Sequence, residues 1–211
     1  MSDLDLVWLV ADKNMEATVR GLLKRPAALA IRPIDCETLV HPRRDPGCFH
    51  EASAMLAGYR DRARHALVLL DRAWEGAPEA SAAALESQLE ATLARDLGAG
   101  WASAIVIDPE LEAWVFAQSP HVDEALGWTG RQPKLREVLV QRNLWAPQAA
   151  KPSDPKKAVE HALRAVRKPR SSSIYRQLAE RVTLQGCQDR AFQRLTMLLK
   201  EWFGQQPGDP P

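Results

Sequence analysis

No apolar run in this sequence approaches the roughly 20 residues needed to cross a bilayer. Its first residues, Met1-Ser2-Asp3-Leu4-Asp5, lack the basic region of a secretory signal, so the sequence points to a cytoplasmic protein with no membrane partner. Cysteine is scarce. Cys36, Cys48 and Cys187 are odd in number and scattered, which excludes a disulfide framework and agrees with a reducing compartment. Also missing are an internal repeat, a glycine-rich phosphate loop, a nucleophile elbow and a His-Glu-x-x-His helix, which removes solenoids and several common catalytic classes. Cys36, His41, Cys48 and His50 crowd one stretch, but their spacing fits no compact zinc motif. What remains is an ordinary globular composition: 211 residues, 45% apolar, 28 Lys and Arg against 27 Asp and Glu, and a mean hydropathy of -0.32. That is enough for one large domain, or for one domain with an appendage.

The balanced net charge of +1 conceals a segregation. Residues 71–124 carry eleven acids and two bases, net -9, whereas residues 151–204 carry twelve bases and five acids, net +7. Two explanations compete. Opposite faces can simply pack near one another, or an acidic metal site can stand beside a basic surface that holds a polyanion.

Along the chain, Leu4 to Ala11 reads as a buried strand, followed by a turn at Asp12-Lys13-Asn14 and a helix over Met15 to Leu23. Ala28 to Ile34 is the candidate for a second strand, and Cys36 to Phe49 reads as a loop. A helix near Glu51 to Arg60 follows. The strand His65 to Leu70 ends on Asp71, a long helix covers Pro78 to Leu97, and the strand Trp101 to Ile107 ends on Asp108, with Pro109 placed to open another helix. Strands alternating with helices predict an α/β fold with a four-stranded, mainly parallel sheet flanked by helices. Beyond residue 117 only helices are indicated, over Val122 to Leu126, Pro133 to Arg142, Pro155 to Val166, Ile174 to Leu184 and Asp189 to Phe203. The expected organisation is an α/β domain over 1–117, a basic helical lobe over 118–204 and a tail over 205–211.

Open α/β sheets gather ligands at the carboxyl ends of their strands. Asp12 and Glu16 follow the first strand, Asp71 and Glu75 end the third, and Asp108, Glu110 and Glu112 follow the fourth. Clustered carboxylates are costly unless a cation neutralises them, and oxygen-only ligands suit Mg2+ or Mn2+. Each acid also has a plain structural use, Asp12 and Asp108 as helix caps and Glu110 and Glu112 as partners of a helix dipole. Trp8, Trp101 and Trp114 lie on or beside core elements and read as packing.

The segments VADKNME (Val10 to Glu16), LVLLD (Leu67 to Asp71) and IDPELEAW (Ile107 to Trp114) together resemble the Toprim fold, in particular the small Toprim-like proteins of bacterial phage-defence loci. Asp154-Pro155-Lys156-Lys157 and the segment from Tyr175 to Cys187 and Phe192 extend that resemblance into the basic half. It implies a divalent metal, Mg2+ or Mn2+, bound by Glu16, Asp71, Glu110 and Glu112, with Glu16, Asp71 and Glu112 serving phosphodiester hydrolysis on nucleic acid. The sequence departs from the Toprim pattern in two places. Asp-x-Asp reads Asp71-Arg72-Ala73, leaving Glu75 as the nearest substitute and Arg72 as a cation beside the site, and Asn14-Met15 stands where a glycine precedes the first glutamate.

Two functions are therefore expected to compete, with a nucleotide-binding regulator as a third, weaker reading. One is a component of a prokaryotic antiviral defence system with an acidic metal site and a nucleic-acid surface at Lys156, Lys157, Lys168 and Arg170. The other is a non-catalytic accessory subunit with a decayed metal site that docks on a larger nuclease, helicase or methyltransferase.

Overall fold

The computed structural model describes residues 4–204. Four strands, β1 (Leu4–Val10), β2 (Cys36–Val40), β3 (Ala63–Asp71) and β4 (Ala102–Ile107), form one all-parallel sheet in the order β2-β1-β3-β4. The central pair supplies the apolar floor of the fold, with Leu6 to Val10 and Ala66 to Leu70 fully buried or nearly so, as continuous apolar runs in a parallel sheet require. In the first half, helices α1 (Lys13–Leu23), α2 (Pro26–Leu29), α3 (Arg44–His50), α4 (Ala52–Leu56) and α5 (Ala82–Leu97) connect these strands. The C-terminal helices are α6 (His121–Leu126), α7 (Leu135–Gln141), α8 (Pro155–Ala165), α9 (Ser172–Arg181) and α10 (Arg190–Phe203). Among the described residues no helix is long and apolar enough to cross a membrane. Residues 205–211, read from the sequence as a tail, lie outside the described residues.

The second strand is a correction. Ala28 to Ile34 is not a strand: Pro26 opens α2 with its fixed φ, and only Ile31 makes an isolated bridge, to Gly204. The strand is instead Cys36–Val40, inside the segment read as a loop, and α3 follows it. Pro109 likewise opens no helix. The Asp108–Pro109 bond is cis, and the Pro109 carbonyl accepts from the Arg72 and Ala73 amides, so the chain turns helical only at the short 3-10 segment Leu111–Trp114.

Two contacts tie the C-terminal helices to the sheet layer. Gly21 of α1 lets α9 approach so closely that a Cβ there would stand 2.8 Å from both Ala179 Cβ and the Arg176 carbonyl oxygen. The second contact closes the β4 edge. The outward amide of Val106 donates to Glu86 Oε1 and that of Ala104 donates to Glu90 Oε1, each at 2.9 Å, while Arg194 donates to the Ala104 carbonyl at 3.3 Å and Arg190 reaches the Val106 carbonyl at 3.5 Å. The same guanidinium groups close on the same carboxylates, Arg190 on Glu86 at 2.8 and 2.9 Å and Arg194 on Glu90 at 2.7 Å. Two residues of strand advance about 6.6 Å and four residues of helix about 6 Å, so side chains at i and i+4 of α5 and α10 match alternate residues of β4.

Glu86 is 3% exposed, and removing it leaves the buried Val106 amide without its acceptor. Glu86→Ala is expected to cost about 2–3 kcal/mol, and Glu86→Gln less because the amide oxygen still accepts from Val106. Urea unfolding of the two variants beside the parent checks both the size and the order of the losses.

Candidate functional site

The strand order reverses direction between β1 and β3, the switch point where open α/β sheets form a crevice at their carboxyl ends. Four connections deliver acids there: Asp12 after β1, Asp45 after β2, Asp71 at the end of β3, and Glu110 and Glu112 after β4. Asp12 caps α1, its Oδ1 accepting from the Asn14 and Met15 amides at 2.9 and 2.8 Å. Asp45 Oδ1 accepts from the Asp71 amide at 2.9 Å, and Asp71 Oδ1 accepts from the Leu111 amide at 2.8 Å, so three loops are stitched together through carboxylates.

Asp45 is set in place by an unusual turn. His41 is buried, its Nδ1 accepts from the Arg43 amide at 3.1 Å, and its Nε2 lies 3.5 Å from Glu51. Gly47 passes directly over the imidazole; a Cβ there would fall 2.0 Å from His41 Nδ1, so only glycine fits. Arg44 adopts a left-handed φ of 52° beside Asp45. Burial holds the His41 pKa below its ordinary value, against the pull of Glu51.

Electrostatically, Asp71 is the focus. Burial raises its pKa well above the ordinary aspartate value, and Asp45, Glu112, Asp12 and Glu110 push it further in the same direction. Asp45 is also raised, by burial, and Glu110 is raised by burial and by Glu112 against the opposing Lys156. Among the described residues no Lys or Arg forms an ion pair with Asp12, Asp45 or Asp71. The outer two acids do find cations. Lys156 Nζ lies 3.4 Å from Glu110, whose other oxygen accepts from the Lys156 amide at 3.2 Å. Glu112, 3% exposed, accepts from the Tyr175 hydroxyl at 2.5 Å and from Arg170. Burial, then Glu112, raises the Tyr175 pKa above its ordinary value.

Of the residues singled out from the sequence, Asp71, Glu110 and Glu112 share this site. Glu16 sits in the first turn of α1 with its oxygens on Lys13 and Arg20, each at 2.8 Å, and Asp12 represents β1 among the charges bearing most on Asp71. Arg72 turns away to Asp108 at 2.6 Å, and Glu75 is exposed. Within the basic set, Lys156 and Arg170 are turned onto the acids, Lys168 donates to the Ala125 carbonyl at 2.7 Å, and Lys157 points to solvent from the start of α8. The residue missed was Asp45. Its signal was the Asp45-Pro46-Gly47 turn, but with β2 placed too early it fell in mid-loop instead of just past a strand end. Among the described residues no group of three or more His, Cys, Asp or Glu side chains stands ready to hold a metal ion. The chain matches no family model, no curated protein and no solved structure.

A folded-state pKa raised above the unfolded value makes Asp71 destabilising once it ionises. Its contribution is most favourable below the ordinary aspartate pKa and is lost as pH rises through the folded pKa. Asp71→Asn keeps the acceptor for the Leu111 amide and removes the charge. The variant should melt above the parent at pH 7, and the difference should shrink toward zero as pH falls below about 4. Melting curves across that range provide the check; an unchanged or lower Tm at pH 7 contradicts the electrostatic reading.

Proposed function

We propose that the carboxylates at the β1/β3 crevice bind a divalent cation, Mg2+ or Mn2+, and that the protein is a Toprim-like component of a prokaryotic antiviral defence system acting on phosphodiester bonds of nucleic acid. The observation that carries the cation site is the unpaired trio of Asp12, Asp45 and Asp71. Among the described residues Glu86, Glu90, Glu110, Glu112 and Glu124 each meet an arginine or lysine, whereas Asp71 and the two aspartates bearing on it form no ion pair. The donor set is all oxygen, which fits a hard cation. Asp45 and Asp71 would hold it, with Asp12, Glu110 and Glu112 as the acids around it. Asp45 supplies from β2 the second carboxylate that Ala73 fails to supply from β3. The bound ion would polarise a phosphoryl oxygen and neutralise developing charge. The defence context rests on the resemblance of VADKNME, LVLLD and IDPELEAW alone.

A second reading has its own support. Arg170 and Tyr175 both bind Glu112, Lys156 pairs with Glu110, and Lys168 donates to the Ala125 carbonyl, so three of the four basic residues assigned to nucleic acid also bind groups of the protein itself. That pattern suits a non-catalytic accessory subunit of a nuclease, helicase or methyltransferase, in which protein cations have replaced the metal.

Thermal unfolding with Mn2+ separates the two readings. At about 100 times its Kd a cation that binds only the folded state adds about 2.7 kcal/mol, and this gain should vanish in Asp45→Asn plus Asp71→Asn. A shift that survives that pair places the ion elsewhere and removes the proposal. No shift at all, together with no binding to single- or double-stranded DNA or RNA at low salt, leaves the accessory reading. If nucleic acid does bind, affinity should fall steeply with salt, and Lys157→Glu should weaken it.

A further inference from the structure

The two edges of the sheet differ. Glu86, Glu90, Arg190 and Arg194 close the β4 edge, whereas β2 ends the other side with its backbone open. The Asp35 carbonyl accepts from the Asp5 and Leu6 amides at 2.8 and 3.2 Å, and the His41 amide donates to the Val10 carbonyl at 2.9 Å, so the odd-numbered residues here face β1. By alternation Cys36, Thr38 and Val40 turn their amides and carbonyls away from the sheet. Among the described residues no side chain or loop bonds to these six groups. β2 also lacks the usual protections of an edge. It holds no proline, lysine or bulge, its one charge, Glu37, accepts from the Tyr59 hydroxyl, and Leu39 and Val40 are only half-buried.

We propose that β2 is a homodimer interface, at which two copies of the chain pair their β2 strands antiparallel about a two-fold axis through Thr38. The occupant follows first from the other edge. Within this same chain β4 is already capped, so head-to-tail growth is blocked and only another β2 offers an open edge. The assembly therefore closes at two copies, as one continuous sheet whose outer edges are both capped β4 strands. Centred on Thr38, the register sets Thr38 opposite the partner's Thr38 and Cys36 opposite the partner's Val40, and all six free backbone groups of each strand enter hydrogen bonds. Charge also favours a second copy over an unrelated strand. Asp35 at the start of β2 and Arg44 just past its end are both exposed and, among the described residues, form no ion pair. Antiparallel pairing brings each Asp35 to the end of the partner strand from which Arg44 emerges, twice by symmetry. The pairing does not depend on what the crevice binds.

Sedimentation of the full chain tests this. At about 100 µM, high enough for a small interface, the parent should sediment at twice the 23.5 kDa chain mass. Thr38→Pro removes an amide that no bond within the chain uses and should leave a monomer. Asp35→Arg sets like charges together and should weaken the dimer at least tenfold, and Asp35→Arg plus Arg44→Asp should restore it. If Thr38→Pro fails to fold, the charge reversal and its rescue carry the test. Thr38→Cys in a Cys36→Ser background should be oxidised by diamide to a covalent dimer, because a directly opposed pair sets its Cα atoms about 5.5 Å apart. A chain that stays monomeric at that concentration overturns the proposal and leaves the edge to an extended segment of another protein. A dimer that Thr38→Pro and Asp35→Arg leave intact, or one that Thr38→Cys does not cross-link, uses another surface and overturns it as well.

Discussion

The carboxylate and guanidinium pairs along β4 are the interaction on which the rest of the architecture depends. A parallel sheet must end somewhere, and its last strand carries a row of unpaired amides and carbonyls that would otherwise template another chain. Here Glu86 and Glu90 act as the carbonyls of an absent fifth strand, and Arg190 and Arg194 as its amides. Because each carboxylate also neutralises a guanidinium, neither charge is left to bear its burial alone. The ladder therefore orients α5 and α10 along β4 and keeps the far end of the chain against the first half. In doing so it brings Asp189, at the start of α10, up to Trp114 and Lys151.

The same pairing explains the charge segregation seen in the sequence. The acidic segment and the basic segment meet through Glu86 with Arg190, Glu110 with Lys156, Glu112 with Arg170 and Glu124 with Arg181, so these bases are paired within the protein while staying partly exposed. Exposed pairs of this kind each contribute little, but Glu86 and Glu112 are buried, and losing a partner there would leave an uncompensated charge in a dry site. The geometry thus favours mutual neutralisation as the main use of the opposite charges, with Lys156, Lys157 and Arg170 of the proposed nucleic-acid set still exposed to solvent.

What could be read from the sequence follows from range. β1, β3 and β4 announce themselves as apolar runs bounded by acids. α8 and α10 are legible from local chemistry too, with Asp154 accepting from the Lys157 amide before Pro155 and Asp189 accepting from the Phe192 amide. β2 was illegible because it is a half-buried edge strand whose residues alternate only weakly, while Ala28 to Ile34 nearby is more apolar. That one displacement hid Asp45, since an acid draws notice at a strand end and not within a loop. The direction of Arg72, toward Asp108 and away from Asp71, depends on how the β3 and β4 ends meet. The Glu86 and Arg190 contact spans 104 residues, and no local pattern encodes it.

The distribution of uncompensated charge is the strongest argument that the crevice does something. A fold able to deliver Arg170 and Tyr175 to Glu112 and Lys156 to Glu110 could also have brought a base to Asp71, or placed an asparagine there. It instead leaves Asp71 half-buried, its Oδ1 tied to Leu111, with Asp45 fixed beside it by a turn that demands His41, Gly47 and a left-handed Arg44. Strain and like-charge crowding at one point each cost stability, and they coincide at the switch point of the sheet, where α/β folds bind their ligands. A cation supplied from solution would reverse the sign of that crowding at once. A protein partner could do so only by inserting a base into the crevice. Leu111 and Tyr175, each 3% exposed, leave such a side chain little room to enter between them.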